Sequence, residues 1–131
     1  MWAQLIDLPR WRDWNPFIRE IEGDPVLGSK LRVVLQPPGS SRATTFRPTV
    51  VANVPGQRFE WLGSIGTRGI ADGHHIFELE PAGAGMTRFV QREEFTGWAV
   101  GLLWPLFRKA EPGFVAMNQA LKERAEKTAS G

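Results

Sequence analysis

Apolar and polar residues alternate in short runs over the first three-quarters of the chain and then change period. Leu31, Val33 and Leu35 alternate with Lys30, Arg32 and Gln36, the pattern of a half-buried strand. A longer alternating run covers residues 43–54, with Phe46, Pro48, Val50, Ala52 and Val54 on one face. Pro48 has no ladder donor, so the run predicts a bulge or an edge position there. Residues 17–22 and 58–63 read as further strands, and Phe59, Trp61 and Gly63 share a face of the second. Two more runs, 75–79 and 87–95, flank a glycine-rich turn and read as a hairpin.

Beyond Gly97 the period becomes helical. Leu103, Phe107, Ala110, Phe114, Met117 and Leu121 are spaced 4, 3, 4, 3 and 4 apart, one apolar stripe on a long C-terminal helix. Pro112-Gly113 predicts a kink or local opening in its middle, and residues 128–131 are expected to be a frayed tail. At the other end, residues 2–7 and 10–15 form two short helices closed by Leu8-Pro9 and Asn15-Pro16. Trp11 and Trp14 on these helices read as structural wedges in preference to gate residues. The sum is an α+β domain over residues 1–127. It has about six consecutive antiparallel strands in a curved sheet, two short N-terminal helices and a long helix covering the apolar face. A single helix held across a curved sheet leaves a cavity between them.

The hairpin concentrates the candidate chemistry. With a turn centred on Ala84, Leu79 faces Phe89, Phe77 faces Gln91 and His75 faces Glu93. Directly opposed residues have Cβ atoms roughly 4.5–5.5 Å apart, within reach of a charge-assisted hydrogen bond. Polar groups on an apolar face must be paired or they are costly. His75 and Glu93 fit a general acid–base pair, and equally a buried pair that orients a ligand or fixes the register; the non-catalytic role is favoured. His74 and His75 point to opposite faces, so they do not grip one ion, and no metal is expected. Gly63, Gly66, Gly69 and Gly73 match no phosphate-loop pattern and read as a flexible lip of the cavity. No cofactor is expected.

Composition narrows the function classes. The chain has 131 residues, 42% hydrophobic and 23% charged, an ordinary balance for one globular domain. Six Trp and eight Phe with no Tyr suit either an apolar cavity or a plain core. A net charge of +2, with Arg scattered among carboxylates, lacks the footprint of nucleic-acid binding. The absence of cysteine removes disulfide and thiolate chemistry and fits a reducing cytoplasm. Neither a signal peptide nor a membrane span is read in the sequence.

The run Trp2-Ala-Gln-Leu-Ile-Asp7-Leu-Pro9-Arg-Trp11-Arg-Asp-Trp14-Asn15-Pro16-Phe17 resembles the opening helices of the SRPBCC superfamily. That superfamily includes START-like, birch-pollen-allergen-like and polyketide cyclase/dehydrase-like proteins. The pattern His75-x-Phe77-x-Leu79 … Gly85-x-Thr87-x-Phe89-x-Gln91-x-Glu93-x-Phe95-x-Gly97 is similar to its closing strands, and the final helix matches too. The resemblance implies a helix-grip fold with a hydrophobic ligand cavity between sheet and helix, and binding of a lipid, polyketide or aromatic molecule. Trp61 resembles a recurrent inward tryptophan of the family. With it, Phe77, Phe89, Phe95, Leu103, Phe107, Phe114 and Met117 would supply the wall, and His75, Gln91 and Glu93 would meet a polar end. One alternative is a cyclase/dehydratase-like enzyme using His75 and Glu93. Another is an interaction module like the Hsp90 co-chaperone activators of this fold, acting through the outer sheet face. Family members open with a strand before the first short helix, whereas this chain starts at that helix. The strand carrying Glu93 should then have an open edge, a place where a second chain could pair; a shortened N terminus explains the difference more simply than a dimer device.

Overall fold

The computed structural model describes residues 1–36, 41, 43–65, 69–108 and 110–130; within them the side chains of residues 65, 103, 105–107 and 128–130 lie outside the description. Two short helices, α1 (Trp2–Ile6) and α2 (Trp11–Trp14), flank a 3-10 turn at Leu8–Arg10. Seven strands follow: β1 (Ile18–Glu22), β2 (Arg32–Leu35), β3 (Thr44–Phe46), β4 (Thr49–Val54), β5 (Arg58–Ile65), β6 (Ala71–Pro81) and β7 (Thr87–Thr96). Helices α3 (Val100–Arg108) and α4 (Glu111–Ser130) close the chain. No helix among the described residues is long and apolar enough to cross a membrane.

The strands form two antiparallel sheets, β1-β2-β3 and β4-β5-β6-β7. Six strands in one sheet were expected, and the difference arises at Pro48. The run 43–54 does not merely bulge there; it is cut into β3 and β4, which belong to different sheets. Proline cannot donate to a ladder, but its carbonyl still accepts, from Leu31 N at 2.8 Å. Gly28 N donates to Val50 O and Val50 N to Ser29 O, at 2.8 and 2.9 Å, so the chain before β2 stitches the sheets together. A bridge between Lys30 and Thr49 continues that seam.

The C-terminal helix is also two elements where one kinked helix was predicted. The break precedes Glu111, and Gly113 N and Phe114 N both donate to Ala110 O, at 3.0 and 3.2 Å. Pro112 then occupies the first turn of α4, where its missing N–H has no partner to lose. Pro112 therefore opens a helix. The helical backbone of α4 continues to Ser130, beyond the boundary at 127 expected from the sequence.

The core lies between β5, β6, β1, the N-terminal helices and α4. Trp11, Phe17, Phe59, Trp61, Phe77, Met117 and Leu121 are buried in one cluster. Trp11 Nε1 donates to Leu5 O at 2.8 Å, which satisfies its buried N–H and holds α2 against α1. Asn15 Oδ1 accepts from Phe17 N and Ile18 N, at 2.9 and 2.8 Å, turning the chain into β1. That turn seats the Phe17 ring edge-on against Phe114, 5.3 Å between centroids, and directly over Gly113. A Cβ at Gly113 would overlap the Phe17 ring.

Gly113→Ala should therefore destabilise the protein by about 1–3 kcal/mol through overpacking, although alanine favours a helix by up to about 1 kcal/mol. Urea unfolding should show a lower midpoint; an unchanged or higher midpoint would mean that the ring is free to move aside.

Candidate functional site

The registers of β5, β6 and β7 lay inward-facing residues in rows. Trp61 pairs with His75 and His75 with Glu93; one row along, Phe59 pairs with Phe77 and Phe77 with Gln91. On the other side Gly63 pairs with Gly73 and Gly73 with Phe95. Leu79 pairs with Phe89, so the turn is centred on Ala84, and Pro81 opposite Thr87 closes it. Gly63 and Gly73 are thus strand residues, correcting their reading as part of a flexible lip. Gly69 does occupy a turn, with φ +97, and Gly66 lies outside the described residues.

His75 is 2% exposed. Aromatic rings surround it: Phe77 at 4.3 Å, Trp61 at 5.3 Å, and Phe114 of α4 edge-on at 5.0 Å. Both ring nitrogens nonetheless have oxygen neighbours. Nδ1 lies 3.2 Å from Glu93 Oε2, and Nε2 lies 2.7 Å from Gln91 Oε1. Gln91 Nε2 in turn donates to Asn118 Oδ1 at 2.8 Å, carrying the chain of polar contacts from the hairpin to α4. Low surrounding polarity makes each of these bonds stronger and each loss more costly.

Glu93 is the member of the pair that solvent reaches, with its side chain 20% exposed. Its Oε1 leans over Gly73: a Cβ at that glycine would stand 2.6 Å from the oxygen. Gly73 thus leaves the space that lets the carboxylate fold back onto the sheet beside His75. An imidazole and a carboxylate in contact can hold a proton and pass it to a bound group. The reachable carboxylate can also accept a hydrogen bond from a ligand.

The sequence-derived wall residues divide by burial. Trp61, Phe77 and Met117 belong to the hydrophobic core, at most 2% exposed. Phe89, Gln91, Phe95 and Phe114 are half-buried; Phe95 lies with Glu93 beside Gly73, Phe114 meets His75, and Phe89 stacks on Phe77 further along the strand. The side chains of Leu103 and Phe107 lie outside the described residues. Two residues were not singled out from the sequence. Trp104 of α3 packs edge-on against Phe95 at 5.8 Å, and Asn118 completes the polar chain. Asn118 follows Phe114 by four positions and so shares its helix face; that spacing was the available signal. A depression of about 330 Å³ elsewhere on the molecule is lined by Gly56, Gln57, Arg58, Glu78, Leu79, Glu80 and Pro81, none of which touches His75.

The outer face of the sheet carries the charge. His74 points there, its Nε2 2.6 Å from Glu60 Oε1 but out of hydrogen-bond alignment. Arg58 meets Glu60 at 2.8 Å, and Arg92 meets Glu78 and Glu94 at 3.4 and 3.8 Å. Exposed pairs of this kind contribute little to stability.

The chain belongs to the polyketide cyclase/dehydrase and lipid transport family, whose sequence pattern matches residues 1–126. No curated protein sequence matches it significantly. Among solved structures it is similar to the di-domain ARO/CYC StfQ from the steffimycin biosynthetic pathway, with TM-score 0.62 and 15% identity. That alignment covers 95% of this chain and 46% of StfQ, so the chain spans about half of the StfQ length. It is also similar to a protein of unknown function from Staphylococcus aureus, with TM-score 0.65 and 16% identity, covering 99% of this chain and 86% of the other. Both share the fold, consistent with a helix-grip arrangement.

Replacing His75 by alanine removes a buried ring and strands Gln91 and Glu93. The expected loss is roughly 2–4 kcal/mol, mainly from packing and unmade hydrogen bonds. Arg92→Ala on the outer face should cost no more than about 0.5 kcal/mol. Similar urea midpoints for the two variants would contradict the buried network.

Proposed function

We propose that the protein binds a small, mostly apolar molecule, such as a lipid, polyketide or aromatic, between the β5–β7 face and the C-terminal helices. Phe89, Phe95 and Phe114 supply apolar contact, and Glu93 meets the polar end while His75 and Gln91 hold it from behind. The observation that carries this reading is one reachable carboxylate, braced by a buried imidazole and flanked by the half-buried rings of Phe95 at Gly73 and Phe114 at His75. Apolar walls with a few fixed polar groups are the usual design of small-molecule sites. Family membership supports the same class of role. A cysteine-free chain suits a cytoplasmic place of work. The outward edge of β7, whose strand neighbour among the described residues is β6, is where a second copy would pair.

The 3.2 Å contact between His75 and Glu93 favours a second reading, an enzyme that cyclises or dehydrates a ketone-bearing substrate. Glu93 would take a proton from the substrate and His75 would stabilise the carboxyl group that forms.

Thermal-shift and native mass-spectrometric screening with fatty acids, polycyclic aromatics and linear polyketides tests the reading. A ligand at 100 times its Kd should add about 2.7 kcal/mol to stability, which is several degrees in Tm for a domain of this size. Phe95→Ala and Phe114→Ala should weaken that shift. A screen in which no compound raises Tm counts against ligand binding. Turnover lost in Glu93→Gln with binding retained would establish the enzyme instead.

A further inference from the structure

With Asn118 presenting its Oδ1, Gln91 Nε2 donates to it at 2.8 Å, and that bond orients the Gln91 amide. The Gln91 oxygen, which cannot donate, is then turned to His75 Nε2 at 2.7 Å, and in this arrangement Nε2 carries a proton. The opposite ring nitrogen faces Glu93 Oε2 at 3.2 Å. A nitrogen lone pair and a carboxylate oxygen repel unless a proton lies between them. A neutral imidazole beside an ionised carboxylate supplies one proton for these two contacts, whereas the geometry requires two. The second is held between Nδ1 and Oε2, and the pair is then neutral as a unit. Glu93 Oε1 remains outside this arrangement: among the described residues no hydrogen bond reaches it, and it lies over Gly73 beside Phe95.

Resting on the ligand-binding reading above, we infer that Asn118 is a positioning residue. Through Gln91 it keeps an extra proton at the His75–Glu93 contact and leaves Glu93 Oε1 as a hydrogen-bond acceptor of a neutral pair. The class of ligand follows. A bare buried carboxylate would select a cation, and a carboxyl group with its proton turned outward would select an acceptor such as a ketone. A neutral pair showing an unprotonated oxygen selects a neutral donor, an enol or phenol hydroxyl on an apolar ring system. The ring would lie against Phe95 and Phe114. Asn118 need never touch the ligand; it acts by deciding how many protons stand behind the oxygen that does.

Two measurements on the whole chain test this separately. Nitrogen-15 NMR of the ligand-free protein at neutral pH reads the proton on each His75 ring nitrogen. Both should be proton-bearing in the wild type. Asn118→Leu should leave one, and Asn118→Asp, which keeps an acceptor for Gln91, should restore two. A wild-type ring with a single N–H overturns the relay without reference to any variant, as does a spectrum unchanged in Asn118→Leu.

The ligand class is read by tryptophan-fluorescence titration with 2-naphthol, 2-methoxynaphthalene and naphthylmethylammonium. 2-Naphthol should bind at least about tenfold more tightly than the other two, the equivalent of about 1.4 kcal/mol. Asn118→Leu should narrow or invert its advantage over the cation. Equal binding of the naphthol and its methyl ether overturns the donor assignment. Binding of none of the three overturns the ligand-binding reading itself, while the NMR result on proton count would still stand.

Discussion

A buried imidazole has two nitrogens to satisfy, and the β6–β7 register is what places an oxygen before each of them. Glu93 stands directly across from His75, and Gln91 stands two residues along on the same face. A slip of one residue would send both side chains to the charged outer face and bring Arg92 or Glu94 opposite His75. The aromatic packing depends on the same alignment, because Phe77 and Phe89 stack at 6.3 Å from adjacent strands while Phe114 closes over His75 from α4. Register, core and candidate site are therefore one constraint expressed three ways. A stability change at any of these positions will be felt as a change in the site.

The hairpin was legible from sequence because its information is local. Alternation fixes which residues share a face, and a single turn centre fixes who stands opposite whom. The resemblance to the SRPBCC superfamily added the overall order of elements, and membership of the polyketide cyclase/dehydrase and lipid transport family agrees with it. Prolines were harder to read. Pro48 was recognised as a disturbance, but whether a strand bulges or ends there depends on residues 28–31, which supply the competing hydrogen bonds. Pro112 within an apolar stripe reads as an interruption, yet proline at a first helical turn is harmless, and the Ala110 carbonyl, accepting from Gly113 N and Phe114 N, sets where that turn begins.

Asn118 escaped notice for a different reason. A polar residue beside an apolar helix stripe reads as solvated, and only the depth to which α4 settles on the sheet reveals that it meets Gln91. That depth is set far away in sequence, where the Phe17 ring rests on the bare backbone of Gly113. The short N-terminal turns, which carry no candidate chemistry, thus help determine how close the last helix comes to the hairpin. Gly73 contributes on the other side by giving the Glu93 carboxylate somewhere to fold.

The division between α3 and α4 has a mechanical corollary. A continuous helix behaves as a stiff beam, transmitting a push at one end to the other through its ladder of backbone bonds. Here that ladder stops before Glu111. Trp104 on α3 can then be replaced by mutation, or shifted with Phe95, without levering Asn118 out of place. The apolar contact of Trp104 with Phe95 and the polar contact of Asn118 with Gln91 thus stand on separate struts, so an evolving lineage could alter one while leaving the other intact.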